Sequence, residues 1–295
     1  MYDLNVKHKF TNEKERKNII KRLIEFGWDY VAWNTTANGK VNINENRPAP
    51  KIELDQTFIN STLKQRSLLL QSNDKLIAFK QYTRITLTID ELSDAQLLTT
   101  SNESIRNFDI VAVCPGNVVV FNYLCKQADI DIISLDFSRY INFLINKKLV
   151  DEAINRGIMF EITYSPLLLT PSLRRELIAN TAVIIKYLRC KNIIITSGSE
   201  KFEHIRGPMD VITLANILNI SNETARKCIG ENCERVINHS VSRKLRFNSI
   251  EVLPVKSFVD KYPDIHITIN ENEEIPDTQS INTDSKISNK KRKRK

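Results

Sequence analysis

The sequence predicts an α/β protein whose parallel strands form a TIM-like β/α barrel. Short apolar segments alternate with amphipathic helical segments, which is the pattern of a parallel sheet covered by helices. Residues 109–113 and 192–195 are almost continuously apolar, as expected for strands buried on both faces. A chain of 295 residues is long enough for one such barrel or for two smaller domains.

The strands are predicted from apolar runs and from alternation. They cover residues 3–6, 31–33, 85–89, 110–113, 132–135, 158–162 and 193–195. Within residues 82–89, the side chains of Ile85, Leu87 and Ile89 share one face, and Arg84 lies on the other face with threonines. Arg84 therefore needs either a partner or a position at the barrel mouth, because an unpaired buried guanidinium is costly.

The helices are predicted from their caps and from apolar residues at helical spacing. They cover residues 12–26, 54–70, 146–156, 171–188 and 221–237. Gly27 and Gly157 end two of them, and Thr170 with Pro171 begins the strongest one. Residues 37–51, rich in Asn and Pro, are predicted to form a surface loop.

The positive charge of the chain is unevenly distributed. The net charge is +8, and residues 1–173 are nearly balanced, with 21 basic and 20 acidic side chains. Residues 174–246 hold 13 basic and 7 acidic side chains, and the last six residues of the chain are all basic. A localised excess of cations attracts a polyanion such as nucleic acid. The alternative is a set of solvated helix faces.

Residues that carry enzyme chemistry are sparse. The five cysteines are odd in number and scattered, which favours a reducing compartment over a disulfide framework. The four histidines form no His-x-His or His-x-x-x-His pair, so no histidine-based metal site is expected. No segment approaches the roughly 18 apolar residues that a membrane helix needs, and the N-terminus lacks the pattern of a secretory signal.

Four carboxylates at predicted strand positions leave one catalytic alternative open. Asp3, Asp90, Asp136 and Glu161 could hold Mg²⁺, or they could serve as caps and loop hydrogen-bond acceptors. Residues 196–199 form a polar strand exit that is not a Gly-x-Ser-x-Gly elbow. The sequence contains no phosphate-loop or dinucleotide-binding signature.

Several separated segments resemble the family of the roughly thirty-kilodalton protein subunit of nuclear ribonuclease P and ribonuclease MRP. The resemblance covers about residues 1–244 in the same order and with similar spacing. It is carried by residues 82–87, 108–113, 155–157 leading into 160–166, 174–175, and 191–197 leading into 205–208. It implies a barrel related to polymerase-and-histidinol-phosphatase (PHP) barrels. Those phosphatases carry paired histidines after the first strand; the corresponding stretch here, residues 3–5 followed by Val6 and Lys7, has no histidine.

The resemblance also implies a role without catalysis or cofactor. In this family's ribonucleoprotein, the RNA holds Mg²⁺ and removes the 5′ leader of precursor tRNA, and the MRP form processes ribosomal RNA precursors. The implied partners are the ribonuclease P and MRP RNAs, precursor tRNA indirectly, and other protein subunits, including a small ferredoxin-like one. No membrane partner is expected. The implied location is the nucleus and nucleolus, which agrees with a basic tail at residues 290–295.

The late basic residues are the predicted contacts to RNA phosphates. They are Arg174, Arg175, Lys201, Arg206, Arg243 and Lys244, with Arg84 as a further candidate at the barrel mouth. Their predicted role is to position RNA through backbone charge and shape, without reading its sequence.

The domain prediction places the barrel at residues 1–247, an extension at 248–270 and a disordered, acidic-then-basic tail at 271–295. The alternative function is a metal-dependent phosphoesterase of the PHP type that uses Asp3, Asp136 and Glu161.

Overall fold

The computed structural model shows a parallel β-sheet whose strands lie side by side in sequence order. It describes residues 1–7, 13–40, 46–70, 79–99, 101–139, 143, 145–188, 192–199 and 201–246. The strands are β1 (Tyr2–Lys7), β2 (Tyr30–Asn38), β3 (Lys80–Ile89), β4 (Ile110–Pro115), β5 (Ile132–Ser134), β6 (Met159–Thr163) and β7 (Ile193–Thr196). The predicted domain boundary at 247 and both segments after it lie outside the described residues.

Helices follow most of the strands and cover the outside of the sheet. They are α1 (Glu13–Phe26), α2 (Gln56–Leu70), α3 (Leu92–Ala95), α4 (Glu103–Arg106), α5 (Val118–Lys126), α6 (Lys147–Asn155), α7 (Ser165–Leu168), α8 (Pro171–Leu188), α9 (Pro208–Ile217), α10 (Asn222–Cys228) and α11 (Glu231–Leu245). Within the described part of the chain, no helix is both long enough and apolar enough to cross a bilayer.

Contacts between the first and last strands nearly close the sheet into a barrel. A parallel bridge joins Val6 to Ser199. Backbone hydrogen bonds flank it, from Lys7 N to Ser199 O at 3.1 Å and from Gly198 N to Asn5 O at 3.0 Å. We call this junction the β1–β7 seam. The fold is therefore the predicted TIM-like α/β barrel. We call the end where the strands finish the mouth and the opposite end the base.

The barrel core has an outer and an inner apolar layer. Ile85, Leu87 and Ile89 lie fully buried in the outer layer, on the face that β3 turns to the helices, as the alternation predicts. The inner layer combines side chains from the strands with three from α11. Its members are Leu4, Ala32, Tyr82, Ile110, Ala112, Ile132, Met159, Ile194, Cys233, Val236 and Ile237. Helix α11 thus closes the base of the barrel.

Two boundaries differ from the sequence prediction. Residues Ala37 and Asn38, predicted as loop, belong to β2, because β2 pairs with β3 residue by residue as far as Asn38 and Thr88. The single helix predicted from Ser221 is two helices, which separate at Gly230. Cys228 and Cys233 are fully buried, as predicted for small apolar side chains.

Candidate functional site

A cavity of about 530 Å³ opens at the barrel mouth. It is formed by residues at or just beyond the C-terminal ends of the strands, which is where barrels of this type place their binding sites. Its floor includes Asn5, Asn34 and Thr86 from the first three strands. Lys201 and His204, from the segment after β7, stand on its edge. We call it the mouth cavity.

Below the cavity, a buried ion pair spans the barrel interior. Arg84 Nη1 and Nη2 each donate to one carboxylate oxygen of Glu161 at 2.6 Å, and both side chains are 0% exposed. Arg84 Nη1 also donates to Leu4 O at 2.9 Å. Glu161 accepts a further hydrogen bond from Thr196 Oγ1 at 2.6 Å. Arg84 therefore has a partner, which is the first of the two arrangements that the sequence left open, and the pair has a two-point geometry.

The ion pair is one side of a closed ring of hydrogen bonds. Arg84 Nε donates to Thr86 Oγ1 at 3.0 Å, and Thr86 Oγ1 donates to Asn34 Oδ1 at 2.9 Å. Asn34 Nδ2 then donates to Asn5 Oδ1 at 2.7 Å, and Asn5 Nδ2 donates to Glu161 Oε1 at 3.0 Å. We call these five residues the polar ring. Because every member fixes the next, the ring forms a rigid floor beneath the mouth cavity.

The charges of the ring are internally compensated. Burial alone would raise the pKa of Glu161, but the Arg84 guanidinium and hydrogen bonds from Ser134 and Thr196 hold that pKa below its ordinary value. Glu161 is therefore an ionised partner of Arg84. Asp3 behaves in the opposite way, because burial outweighs its hydrogen bonds from Ser197 and Asn5 and raises its pKa.

The geometry gives no support to the catalytic alternative. Glu161 is held by Arg84, and Asp3 Oδ1 accepts from the backbone amides of Asn5 and Ser197. Asp136 lies at the mouth, where its oxygens take hydrogen bonds from Ser138 and an ion pair with Arg139 at 3.2 Å. Among the described residues, no three His, Cys, Asp or Glu side chains gather in a group that could hold a metal ion.

Three of the seven predicted RNA contacts lie near the mouth, and Arg206 follows further along the chain. Arg174 and Arg175 are exposed in the first turn of α8, next to Leu173, which lines the mouth cavity. Lys201 is exposed on the edge of the cavity itself. Arg206, half-buried, follows the same segment, and its Nη1 donates to the carbonyl oxygens of Glu203 and Ile205.

The structure contradicts the prediction for Arg84 and Arg243. Arg84 lies in the polar ring rather than at the mouth. Arg243 is 1% exposed, and its guanidinium pairs with Asp131 at the base of the barrel. Neither can reach an RNA phosphate in this structure. Lys244 is also at the base, where its Nζ contacts Asp109 Oδ1 at 2.9 Å. Sequence cannot distinguish these buried cations from exposed ones because the partner carboxylates are more than 70 residues away.

Asp131 forms the main polar attachment between α11 and the base. It accepts from Val111 N at 2.9 Å and from Arg243 Nε at 3.1 Å, and it pairs with His239 Nδ1 at 2.8 Å. Burial acts to raise its pKa, but Arg243 and His239 outweigh burial and lower it. Asp131 and His239 were not predicted as site residues.

Gly198, at the β1–β7 seam, is a sensitive position because it lies close to Thr163 of β6. Its φ is +58°, and a Cβ there would lie 2.7 Å from Thr163 Cγ2. We expect Gly198→Ala to lower the free energy of unfolding by about 2 kcal/mol, from the left-handed conformation and the contact together. Urea unfolding measures the loss. Adding Thr163→Ser, which removes Cγ2, should recover part of it; no recovery would contradict the contact.

Some sequence predictions fall on residues outside the described part of the chain. They include His8, Cys190, His266 and the basic tail at 290–295. The corresponding statements remain predictions.

Comparisons with known proteins agree with this fold. The sequence profile of the family described as RNase P subunit p30 matches residues 1–245. "Protein GAMETOPHYTE DEFECTIVE 1" of Arabidopsis thaliana is 34% identical over 239 residues, which are 79% of this chain and 41% of that protein. The match thus spans less than half of the Arabidopsis protein. "Probable ribonuclease P protein subunit 3" of Schizosaccharomyces pombe is 31% identical over 231 residues, which are 78% of this chain and 88% of that protein.

A solved structure shares the architecture. A chain in the "cryo-EM structure of archaeal Ribonuclease P with mature tRNA" superimposes with a TM-score of 0.58 and 16% identity, covering 92% of this chain and all of that one. At this identity, the likeness shows the fold alone.

Proposed function

Since the chain belongs to the RNase P subunit p30 family, we propose that it is a non-catalytic, RNA-binding protein subunit of ribonuclease P and of the related ribonuclease MRP. Its role is to bind and shape the RNA of the particle. In this proposal the RNA carries out the cleavage that removes the 5′ leader of precursor tRNA, and the protein contributes neither catalytic group nor metal ligand.

One observation carries the non-catalytic part of the proposal. Glu161, the carboxylate of the polar ring below the mouth cavity, already forms a two-point ion pair with Arg84. A phosphoesterase at this position needs that carboxylate free to bind a metal ion or a proton. The polar ring replaces such a centre with a neutral, fully hydrogen-bonded layer.

The cations near the mouth support the RNA-binding part. Arg174, Arg175 and Lys201 are exposed, and Arg206, five residues beyond Lys201 in the chain, is half-buried. Arginine and lysine at a surface bind phosphate oxygens by charge-assisted hydrogen bonds without reading bases. These four residues form our proposed phosphate-binding set, and Arg84, Arg243 and Lys244 are withdrawn from it.

The remaining proposed partners are the other components of the ribonuclease P and MRP particles. They are the ribonuclease P and MRP RNAs, precursor tRNA bound indirectly, and other protein subunits that include a small ferredoxin-like one. The proposed location is the nucleus, with the nucleolus as its finer site. RNA sequencing and mass spectrometry of material purified with the tagged chain test this composition. Recovery of the chain without a structured RNA would contradict it.

The salt dependence of RNA binding tests the phosphate-binding set. With four phosphate contacts, we expect the affinity for the co-purified RNA to fall roughly 50- to 150-fold between 50 and 200 mM salt. Arg175→Gln should weaken binding and reduce the slope of log K against log[salt] by about one, because one contact is lost. Fluorescence anisotropy with the full chain measures both quantities.

Lys186→Gln is the matched control. Lys186 is exposed on the same helix, about 16 Å from Arg175 along the axis, toward the other end of the barrel. It removes the same charge and should leave the slope unchanged. Equal effects of the two substitutions would show that net charge, and not the proposed set, determines binding.

A further inference from the structure

Most of the residues that line the mouth cavity do not belong to the phosphate-binding set, so the cavity can bind a further group. Its volume of about 530 Å³ lies within the range of small-molecule binding sites. The polar ring beneath it is neutral and closed, so the floor offers amide and hydroxyl groups rather than a net charge. The cavity can therefore take a polar organic group without unpaired buried charge.

The walls of the cavity differ in character. Thr36, Thr88 and Thr163 contribute hydroxyl-bearing side chains from three strands. Pro166 and Leu169, at α7 and just after it, contribute apolar surface, and Leu169 is 43% exposed. Hydroxyls both donate and accept hydrogen bonds, so they suit a ribose or any base edge. An apolar wall suits the flat face of a nucleobase.

Charge at the edge of the cavity favours an anion on one side. Lys7 and Lys201 stand on the side of β1 and β7, and Asp136 stands across from them, paired with Arg139. Among the described residues, no carboxylate pairs with Lys201. Lys201 also belongs to the phosphate-binding set, so an RNA backbone held there passes the entrance of the cavity.

We propose that the mouth cavity receives one unpaired nucleotide of the bound RNA. The base lies against the apolar wall, the ribose meets the threonine hydroxyls, and the phosphate faces Lys201. This inference rests on the proposed function, since it requires RNA at the mouth. A base within a duplex is stacked and paired and cannot enter, so the site selects single-stranded segments, loops or bulges.

Thr36 allows a sharp test because it lines the cavity, is exposed, and makes no side-chain hydrogen bond to another described residue. Thr36→Glu places a carboxylate where the nucleotide would lie, and Thr36→Gln has nearly the same shape without the charge. The probes are a labelled single-stranded RNA octamer of mixed sequence and the blunt duplex of that octamer with its complement. The full chain is titrated by anisotropy.

We expect Thr36→Glu to weaken binding of the single strand about tenfold and binding of the duplex less than about twofold. Thr36→Gln loses one hydroxyl contact without adding charge, so it should weaken the single strand only about threefold and leave the duplex within about twofold of the wild type. Arg175→Gln should weaken both probes alike, because it acts on the backbone. Circular dichroism confirms that each variant is folded.

The possible failures are distinguishable. If Thr36→Glu has no effect, or weakens both probes equally, while Arg175→Gln weakens both, the nucleotide site is overturned and the proposed function stands. If the wild-type chain binds neither probe, both are overturned. If free uridine monophosphate displaces the octamer as well as unlabelled octamer does, the cavity is a site for free nucleotides and the inference is overturned.

Discussion

Replacing Glu161 by Gln should lower the free energy of unfolding by about 3–5 kcal/mol, the typical cost of breaking a buried ion pair. The substitution leaves the Arg84 guanidinium 0% exposed and without a counter-charge. If the Gln oxygen keeps the hydrogen bonds from Asn5 and Thr196, its NH2 group faces Arg84 Nη2, so two donors meet. Urea unfolding followed by circular dichroism measures the loss.

A double-mutant cycle separates the ion pair from general damage to the core. Arg84→Met alone leaves Glu161 buried without its partner, so it should also be strongly destabilising. The double variant Arg84→Met/Glu161→Gln should be more stable than the sum of the two losses by at least about 1 kcal/mol. Additive losses would show that the pair is not a coupled unit and would remove the main support for the polar ring.

The second large effect is expected at the base of the barrel. Asp131→Asn should lower the free energy of unfolding by about 3–5 kcal/mol, because Arg243 then loses its counter-charge while it remains buried. The same change weakens the hold on His239, so α11 loses two of its attachments to the barrel. Hydrogen exchange should show faster exchange in α11 than in the strands.

Asp131 also links stability to pH. Its pKa is lowered in the folded state, so its stabilising contribution is complete above the unfolded value of about 3.9. The contribution is lost as the pH falls from that value through the folded pKa, because the unfolded chain takes up the proton first. Unfolding measured from pH 7 down to pH 2 should therefore show a shallower acid loss in Asp131→Asn than in the wild type.

Asp151→Asn is the control for this pH profile. Asp151 is exposed on α6. This variant should keep both the stability and the acid profile of the wild type. An unchanged acid limb in Asp131→Asn would contradict the assigned role of that carboxylate.

The sequence predicted the barrel because its signals are local. In β3, alternation alone placed the apolar residues on one face and Arg84 on the other, and the cost of burying a guanidinium required either a partner or a position at the mouth for it. The identity of that partner could not be derived. Glu161 lies 77 residues further along the chain, and only the order of strands in the sheet brings it opposite Arg84.

Counting charges misled the site prediction for a related reason. The excess of cations in residues 174–246 is real, but Arg243 and Lys244 are paired with carboxylates of residues 131 and 109, from the half of the chain that appeared balanced. Composition records how many charges a segment has and not which face of a helix they occupy. Arg175 and Lys201 come from the same segment and are exposed.

The polar ring was largely missed, although a signal existed. Asn5 and Asn34 each interrupt or end an apolar strand segment at a position whose side chain faces the interior. An amide inside a strand that is otherwise apolar on both faces must be hydrogen-bonded there. Two such interruptions in neighbouring strands indicate a shared polar layer.

The β1–β7 seam has a consequence for how the chain is made. The strand that completes the sheet is formed by residues 193–196, and the bridge from Val6 reaches Ser199. During synthesis, one edge of the first strand therefore has no neighbour until nearly two hundred residues have left the ribosome. Such late, long-range closure slows folding and exposes a strand edge to other chains.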